Sequence, residues 1–341
     1  MKTHLSLAHS RRLVALTLAA TVFSLGAAGA HAALLAYEGF STSDYNTGAD
    51  PIAANFPTDD LRGQGPNSGT SFGFTGVWKT PTINGASPSF DYWSNVDNLT
   101  ASNYYRAAGG QSGYNDSLGQ PLITTPGRAV FQKVNSGENR NSIQRDFTTG
   151  TSAPSTLYMS TLIDFEPGSR AYLGLASVNV GSPGGTGTRP FQFGIVDDGR
   201  LFAAGHTSTG ARAVVTSSAN DALGAGTYLL VAKFTDDGFT NDTLELWVNP
   251  VLGDEFASGP PDLVLNQATG NADLNFYVAG NPSWAIQGLV LEAGGGATNS
   301  IAIFDELRIG TTWESVTPVP EPGRALLLAG ALMACAVRRQ R

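Results

Sequence analysis

The sequence predicts an all-β fold, an antiparallel two-layer sandwich, and three observations predict it. Short runs rich in β-branched and aromatic residues follow one another from Gly127 to Gly310, each bounded by turn residues. Several of these runs alternate apolar and polar positions, as in Leu244-Glu245-Leu246-Trp247-Val248-Asn249, where Leu244, Leu246 and Val248 share one face. Between the two ends of the chain no long stretch carries the 3.6-residue apolar period of a helix.

Taken in order, residues 1–32 form a secretory signal. Lys2, Arg11 and Arg12 precede an apolar run from Leu13 to Ala28, and Ala30-His31-Ala32 offers small residues at both positions that a signal peptidase reads. Cleavage after Ala32 is expected, with Ala30 as the alternative. The sandwich then occupies 33–316. Its first part, up to about Pro126, is rich in turns, with an opening strand at Leu34 to Phe40 and scattered aromatics at Phe72, Phe74, Trp78, Tyr92, Trp93, Tyr104 and Tyr105. These aromatics either pin long loops to the sandwich or form a sugar-stacking surface, because aromatic faces beside polar loop groups are what carbohydrate sites combine.

From Gly127 onward the strands are expected at Arg128 to Lys133, Ser142 to Phe147, Thr156 to Phe165, Ala171 to Val178, Phe191 to Val196 and Arg200 to Ala204. They continue at Arg212 to Ser217, Tyr228 to Phe234, Thr243 to Asn249, Ile286 to Glu292 and Ile301 to Ile309. Asp197-Asp198-Gly199 and Asp236-Asp237-Gly238 are expected hairpin turns, since Asp-Gly supplies the positive φ that tight hairpins need. In the last strand strict alternation puts Ile301, Ile303, Leu307 and Ile309 on the inner face, and Asp305 with them. An inward carboxylate must be hydrogen-bonded or paired, so Asp305 is either a structural hinge of the core or part of a site. Ser315 to Pro318 is expected to be a short linker.

Residues 317–341 close the chain. Thirteen apolar residues from Ala325 to Val337 span roughly 20 Å at about 1.5 Å per residue, short of the roughly 30 Å hydrocarbon core of a bilayer. Arg338, Arg339 and Arg341 after the run resist translocation, which leaves Pro320, Glu321 and Pro322 at the opposite surface. Proline fixes φ and keeps its predecessor extended, so the tripeptide stays outside the helix. Val319-Pro320-Glu321-Pro322, the short apolar run and the Arg338-Arg339 cluster resemble a PEP-CTERM sorting signal. The resemblance covers about 23 residues and implies an exosortase-type processing enzyme as partner, transient insertion in the inner membrane of a Gram-negative bacterium, and release to the cell surface or beyond. Arg324 departs from it by interrupting the start of the apolar run, and Cys335 inside the run is a small apolar filler or a lipidation site.

Charge narrows the partners. Removing both ends takes away Lys2, Arg11, Arg12, Arg324, Arg338, Arg339, Arg341 and Glu321 from 20 basic and 28 acidic residues. The remaining 13 against 27 give a net charge of −14. Nucleic acid and anionic membrane surfaces are disfavoured, and an acidic extracellular protein is favoured. The one cysteine lies in the tail, so the sandwich has no disulfide and depends on its core.

A second resemblance rests on Thr227 to Phe234, Thr243 to Pro250 and Ile303 to Gly310, with Tyr37-Glu38-Gly39-Phe40 and Gly76-Val77-Trp78 at the start. The first three stretches are similar to the late strands of laminin-G/concanavalin A-like jelly rolls and the last two to the start of such domains, which implies an antiparallel jelly-roll β-sandwich serving as a binding or structural module. Polysaccharide is the expected ligand, and a secreted glycan-acting enzyme is the alternative. Jelly-roll enzymes of the laminarinase class carry Glu-x-Asp-x-x-Glu on one strand, and that motif is absent. Asp305 and Glu306 are adjacent and should point to opposite faces, and His206 is the one histidine of the sandwich. The expectation is therefore a protein that is not an enzyme and needs no cofactor. Calcium is the ion to test, with Asp197, Asp198, Asp236, Asp237, Asn241 and Asp242 as oxygen donors. Asx-rich turns formed for backbone reasons are the plainer reading of the same residues.

Overall fold

The computed structural model describes residues 34–41, 45, 61, 71–79, 103–108, 110, 112–133, 140–152, 155–177, 191–206, 212–236, 242–270, 285–294 and 301–320. The signal residues Ala30 and Ala32, and Glu321, Pro322, Arg338 and Arg339 of the tail, lie outside them. So do Tyr92, Trp93, Asp237 and Asn241.

The described strands are β1 (Leu34–Glu38), β2 (Phe74–Lys79), β3 (Asn103–Ala108), β4 (Arg128–Lys133), β5 (Arg140–Ser152), β6 (Thr156–Phe165), β7 (Arg170–Ser177) and β8 (Phe191–Ile195). They continue as β9 (Leu201–His206), β10 (Arg212–Thr216), β11 (Gly226–Thr235), β12 (Thr243–Val248), β13 (Leu263–Leu265), β14 (Ala285–Gly294) and β15 (Ile301–Gly310). The first sheet runs β13-β12-β11-β6-β15-β4-β3, with β1 also paired to β15, and the second runs β10-β9-β8-β7-β14-β5-β2. All pairings are antiparallel, and the two sheets form the expected jelly-roll sandwich.

Between the sheets lies one apolar layer. Leu230, Ala232 and Phe234 of β11 and Leu244 and Leu246 of β12 meet Leu173 of β7, Phe191 and Phe193 of β8, and Leu289 and Leu291 of β14. Phe191 and Phe234 stack across the gap with centroids 5.1 Å apart. Each such side chain contributes about 1.5–3 kcal/mol by leaving water. The peg reading of the early aromatics holds at Trp78, fully buried and stacked on Phe40, and at Phe74, which stacks on Phe147, while Phe72 is 44% exposed beside Tyr37.

The first sheet is apolar on its outer side as well. Tyr158, Leu162, Leu229, Val231 and Trp247 form a second cluster there, sealed by Leu122, Leu252, Trp313 and Val316 from three overlying segments. Trp313 meets the edges of Trp247 and Tyr158 at 5.2 and 6.2 Å, and its indole N–H donates to the Val251 carbonyl at 3.3 Å. The expected linker at Ser315 to Pro318 is therefore corrected. Val316 and Thr317 are fully buried, the Ser160 hydroxyl donates to the Val316 carbonyl at 2.6 Å, and the Ile123 N–H donates to the Pro318 carbonyl at 3.2 Å. The sandwich carries the chain through Val319, which is half-buried, to an exposed Pro320. Among the described residues no helix is long and apolar enough to cross a membrane.

The inner-face assignment in β15 is also corrected. Its register on β6 shifts between Asp305 and Arg308, so that one extra residue sits on β15. Ala302 and Phe304 face the core before this bulge, and Leu307 and Ile309 after it. Asp305 thus faces the outer side, opposite Leu162. The cause is a change of partner: β15 pairs with β4 through Ile301 to Phe304 and with β1 from Leu307 onward. The extra residue bridges the gap between them.

Candidate functional site

The most distinctive polar cluster lies on the outer side of the second sheet, where alternation directs Glu292, Gln192 and Tyr172 away from the core although they are buried from solvent. Two rows cross it. One row aligns Ser142, Glu292, Tyr172, Gly194, Phe202 and Thr216 on β5, β14, β7, β8, β9 and β10. The next, about 6.6 Å along the strands, aligns Gln144, Val290, Gly174, Gln192, Ala204 and Val214.

Small residues shape this surface. Gly194 lies between Tyr172 and Phe202, whose rings close over it at 4.8 Å. A Cβ on Gly194 would sit 2.9 Å from the Tyr172 ring and 2.0 Å from the Ala171 carbonyl oxygen, so a side chain there would separate the pair. Gly174 makes room for Gln192, since its Cβ would stand 3.0 Å from the Gln192 Cγ. Glu292 is fully buried, and Gln192, Tyr172 and Phe202 nearly so, while Val214 at the β10 edge is 41% exposed. A carboxyl group, an amide and a Tyr–Phe ring pair thus share one side of the sheet, group types that carbohydrate sites combine for hydroxyl recognition and ring stacking.

Glu292 was legible in principle. It is the only charged residue in Ile286-Gln287-Gly288-Leu289-Val290-Leu291-Glu292, and the inward Leu289 and Leu291 fix its outward direction. Among the described residues the other carboxylate on this side of the sheet, Asp146, is in register with Gly288, four residues and roughly 13 Å along β14 from Glu292. That exceeds the roughly 5–9.5 Å between the carboxyl groups of a paired-acid glycosidase.

Asp305 and Glu306 belong to a different cluster, under the loop over the first sheet. The bulge cancels the expected alternation. Asp305 accepts from the Ser112 N–H at 2.9 Å, and Glu306 accepts from the Thr125 N–H, from the Tyr37 hydroxyl at 2.8 Å and from Arg308 at 2.6 Å. Burial, then the neighbouring charge of Glu306, pushes the Asp305 carboxyl up to about 8. Burial also raises Glu306, against the pull of Arg308. These groups staple the segment 112–126 onto the sheet, which places Asp305 in structure.

Glu38 sits inside the sandwich near β2 and β5. It is ion-paired with Arg145 of the opposite sheet and accepts from the Phe40 N–H at 2.9 Å, the Tyr45 hydroxyl at 2.5 Å and the Ser71 hydroxyl at 2.8 Å. Arg145 also lies 5.1 and 5.9 Å from the Phe74 and Trp78 rings. Burial raises the Glu38 carboxyl while Arg145 opposes the shift.

The candidate calcium donors separate. Asp197 pairs with Arg170 at 2.9 Å and Asp198 with Arg200 at 2.8 Å, the Asp236 N–H donates to the Ser155 carbonyl at 2.8 Å, and Asp242 is buried before β12. The hairpin at Asp197 to Gly199 is as expected, with Gly199 at φ 85° and its N–H donating to the Val196 carbonyl at 2.9 Å. Among the described residues no group of three or more metal-ligating side chains converges.

No family model matches the chain, and no curated protein does. Among solved structures it is similar to an endo-β-1,4-glucuronan lyase from the fungus Trichoderma reesei, at 13% identity and TM-score 0.39, over 71% of this chain and 98% of that one. It is similar to a glycosyl hydrolase family protein from Mycobacterium fortuitum, at 11% identity and TM-score 0.40, over 81% of this chain and 99% of that one. A third likeness is to the botulinum neurotoxin serotype D binding domain, at 8% identity and TM-score 0.34, over 70% of this chain and 48% of that one. The likeness is one of fold. It corrects the expectation that the chain is not an enzyme, because similar folds are found in a lyase and a glycosyl hydrolase as well as in a binding domain. The physical reason is that catalytic groups are assembled in space from several strands, so a missing one-strand motif does not exclude catalysis.

Proposed function

We propose that this chain is an exported jelly-roll module that engages an extracellular polysaccharide on the outer side of its second sheet. The observation that carries the reading is the pair of rows joining Glu292, Gln192 and the Tyr172–Phe202 aromatic pair on a surface of small residues. In this reading the signal at residues 1–32 directs export, and the tail from Val319 to Arg339 inserts transiently in the inner membrane and is processed by an exosortase-type enzyme. Delivery to the cell surface or matrix follows.

A second reading, in which the same surface also acts on the glycan, is favoured by Glu292. A fully buried carboxyl group in register with a tyrosine is a combination suited to general acid–base work. One experiment addresses both readings: a panel of neutral and uronate-rich polysaccharides is screened for retention of the protein and for new chain ends. Selective retention supports engagement, and new chain ends that disappear in Glu292→Gln support action on the chain. Neither retention nor turnover on any member would contradict the proposal.

A further inference from the structure

Around the point where the described chain leaves the fold, three segments of the first sheet's outer side are knit together. The Ile123 N–H donates to the Pro318 carbonyl, the Gly253 N–H donates to the Thr317 hydroxyl at 3.1 Å, and Asp116 accepts from the N–H groups of Leu118 and Leu252 at 2.9 and 3.0 Å. These same segments carry three conspicuously exposed apolar side chains: Leu118 is 66%, Ile123 45% and Phe256 96% exposed. Their exposure is unlike the rest of the cover, whose apolar members Leu122, Leu252 and Val316 are buried.

We propose that this rim rests in the headgroup region of a lipid bilayer and supplements an anchor too short to span one. The inference goes beyond glycan engagement and rests on insertion of the apolar run Ala325 to Val337. Only Glu321 to Arg324 separate exposed Pro320 from that run, and four residues reach at most about 14 Å. Once the run is in the hydrocarbon, the exit end of the sandwich stands at the membrane surface by chain length alone. A run of roughly 20 Å is also shorter than the roughly 30 Å core, and such a mismatch draws the flanking residues toward the interface. Apolar side chains at the exit then meet the acyl boundary instead of water. Asp254 and Glu314 stand exposed on the same segments, which favours a zwitterionic lipid surface over an anionic one.

The test uses the purified full chain reconstituted into phosphatidylcholine–phosphatidylethanolamine vesicles. Single reporter cysteines are introduced by Ser117→Cys, Ala257→Cys and, as a distant control, Asn220→Cys, each with Cys335→Ala. Native Cys335 is labelled separately to report the anchor. The expected result is that labels at 117 and 257 lose access to aqueous iodide and are quenched by shallow spin-labelled lipid, while the label at 220 behaves as in solution. The pair Leu118→Ser and Phe256→Ser should abolish the lipid quenching at 117 and 257. Labels at 117 and 257 that match 220 while Cys335 is quenched by deep spin-labelled lipid would overturn the rim and spare the anchor. Absence of quenching at Cys335 would overturn both. Shielding from iodide before lipid is added would show the rim covered by the chain itself or by a second copy, and would also overturn the proposal.

Discussion

Asp305 shows how far one buried carboxyl group can set the pH response of a sandwich without belonging to a site. Its pKa is raised from an unfolded value near 3.8 to about 8, chiefly by burial. A raised folded pKa means that the folded state holds a proton the unfolded chain releases, so the contribution to stability is fully present below about 4 and is lost as pH rises toward 8. Asp305→Asn should therefore flatten the fall in stability between pH 5 and 8, removing a slope of up to about 1.4 kcal/mol per pH unit while keeping an acceptor for the Ser112 N–H. Denaturant titrations of both proteins across that range check it, and identical slopes would contradict the assignment. Glu38 and Glu306 also have raised values, so some slope remains in the variant.

Elements differ in how plainly the sequence announces them. The bounds of β4 and β6 coincide with expectation because each is a continuous run of strand-forming residues between turn signals. β2, β3 and β13 escaped notice: β2 carries Gly76 and a register shift, β3 is mixed in polarity, and β13 has three residues. The bulge in β15 was illegible for another reason. It arises where β15 changes partner from β4 to β1, and no local pattern in Ile303-Phe304-Asp305-Glu306-Leu307 records which strands lie beside it. Glu306 occupies it at φ 52°, an unfavourable region for a side chain, held by Arg308, Tyr37 and the Thr125 N–H. Deleting Glu306 keeps Ala302, Phe304, Leu307 and Ile309 on one face but removes the residue that bridges the partner change and leaves buried Arg308 without its carboxylate and the Tyr37 hydroxyl without its acceptor. The expected outcome is loss of most soluble protein, and a variant with native yield and melting temperature would contradict the account of the bulge. The outward rows of the second sheet were half legible, since alternation fixes the direction of Glu292, whereas its alignment with Tyr172 requires the order β5-β14-β7-β8-β9.

For the whole molecule, the reading joins delivery to recognition. Replacing Pro320 and Pro322 with Ala should remove the rigid extended segment before the apolar run and leave a longer, membrane-retained form. Fractionation and mass measurement in the producing cell check this, and unchanged size and release would contradict it. The fold extends through Val319, so the proposed processing would cut beyond the sandwich. Recognition is the central claim, and the most direct measurement is the binding isotherm of the selected polysaccharide for the wild type, Gln192→Ala and Phe256→Ala. Gln192 lies in the second row of the proposed surface and Phe256 on the opposite side of the sandwich. On the proposed role of Gln192 as a glycan hydrogen-bond partner, Gln192→Ala is expected to weaken binding roughly tenfold, equivalent to about 1.4 kcal/mol, with Phe256→Ala unchanged. An isotherm unaffected by Gln192→Ala, or weakened by Phe256→Ala instead, would place the glycan elsewhere and contradict the account.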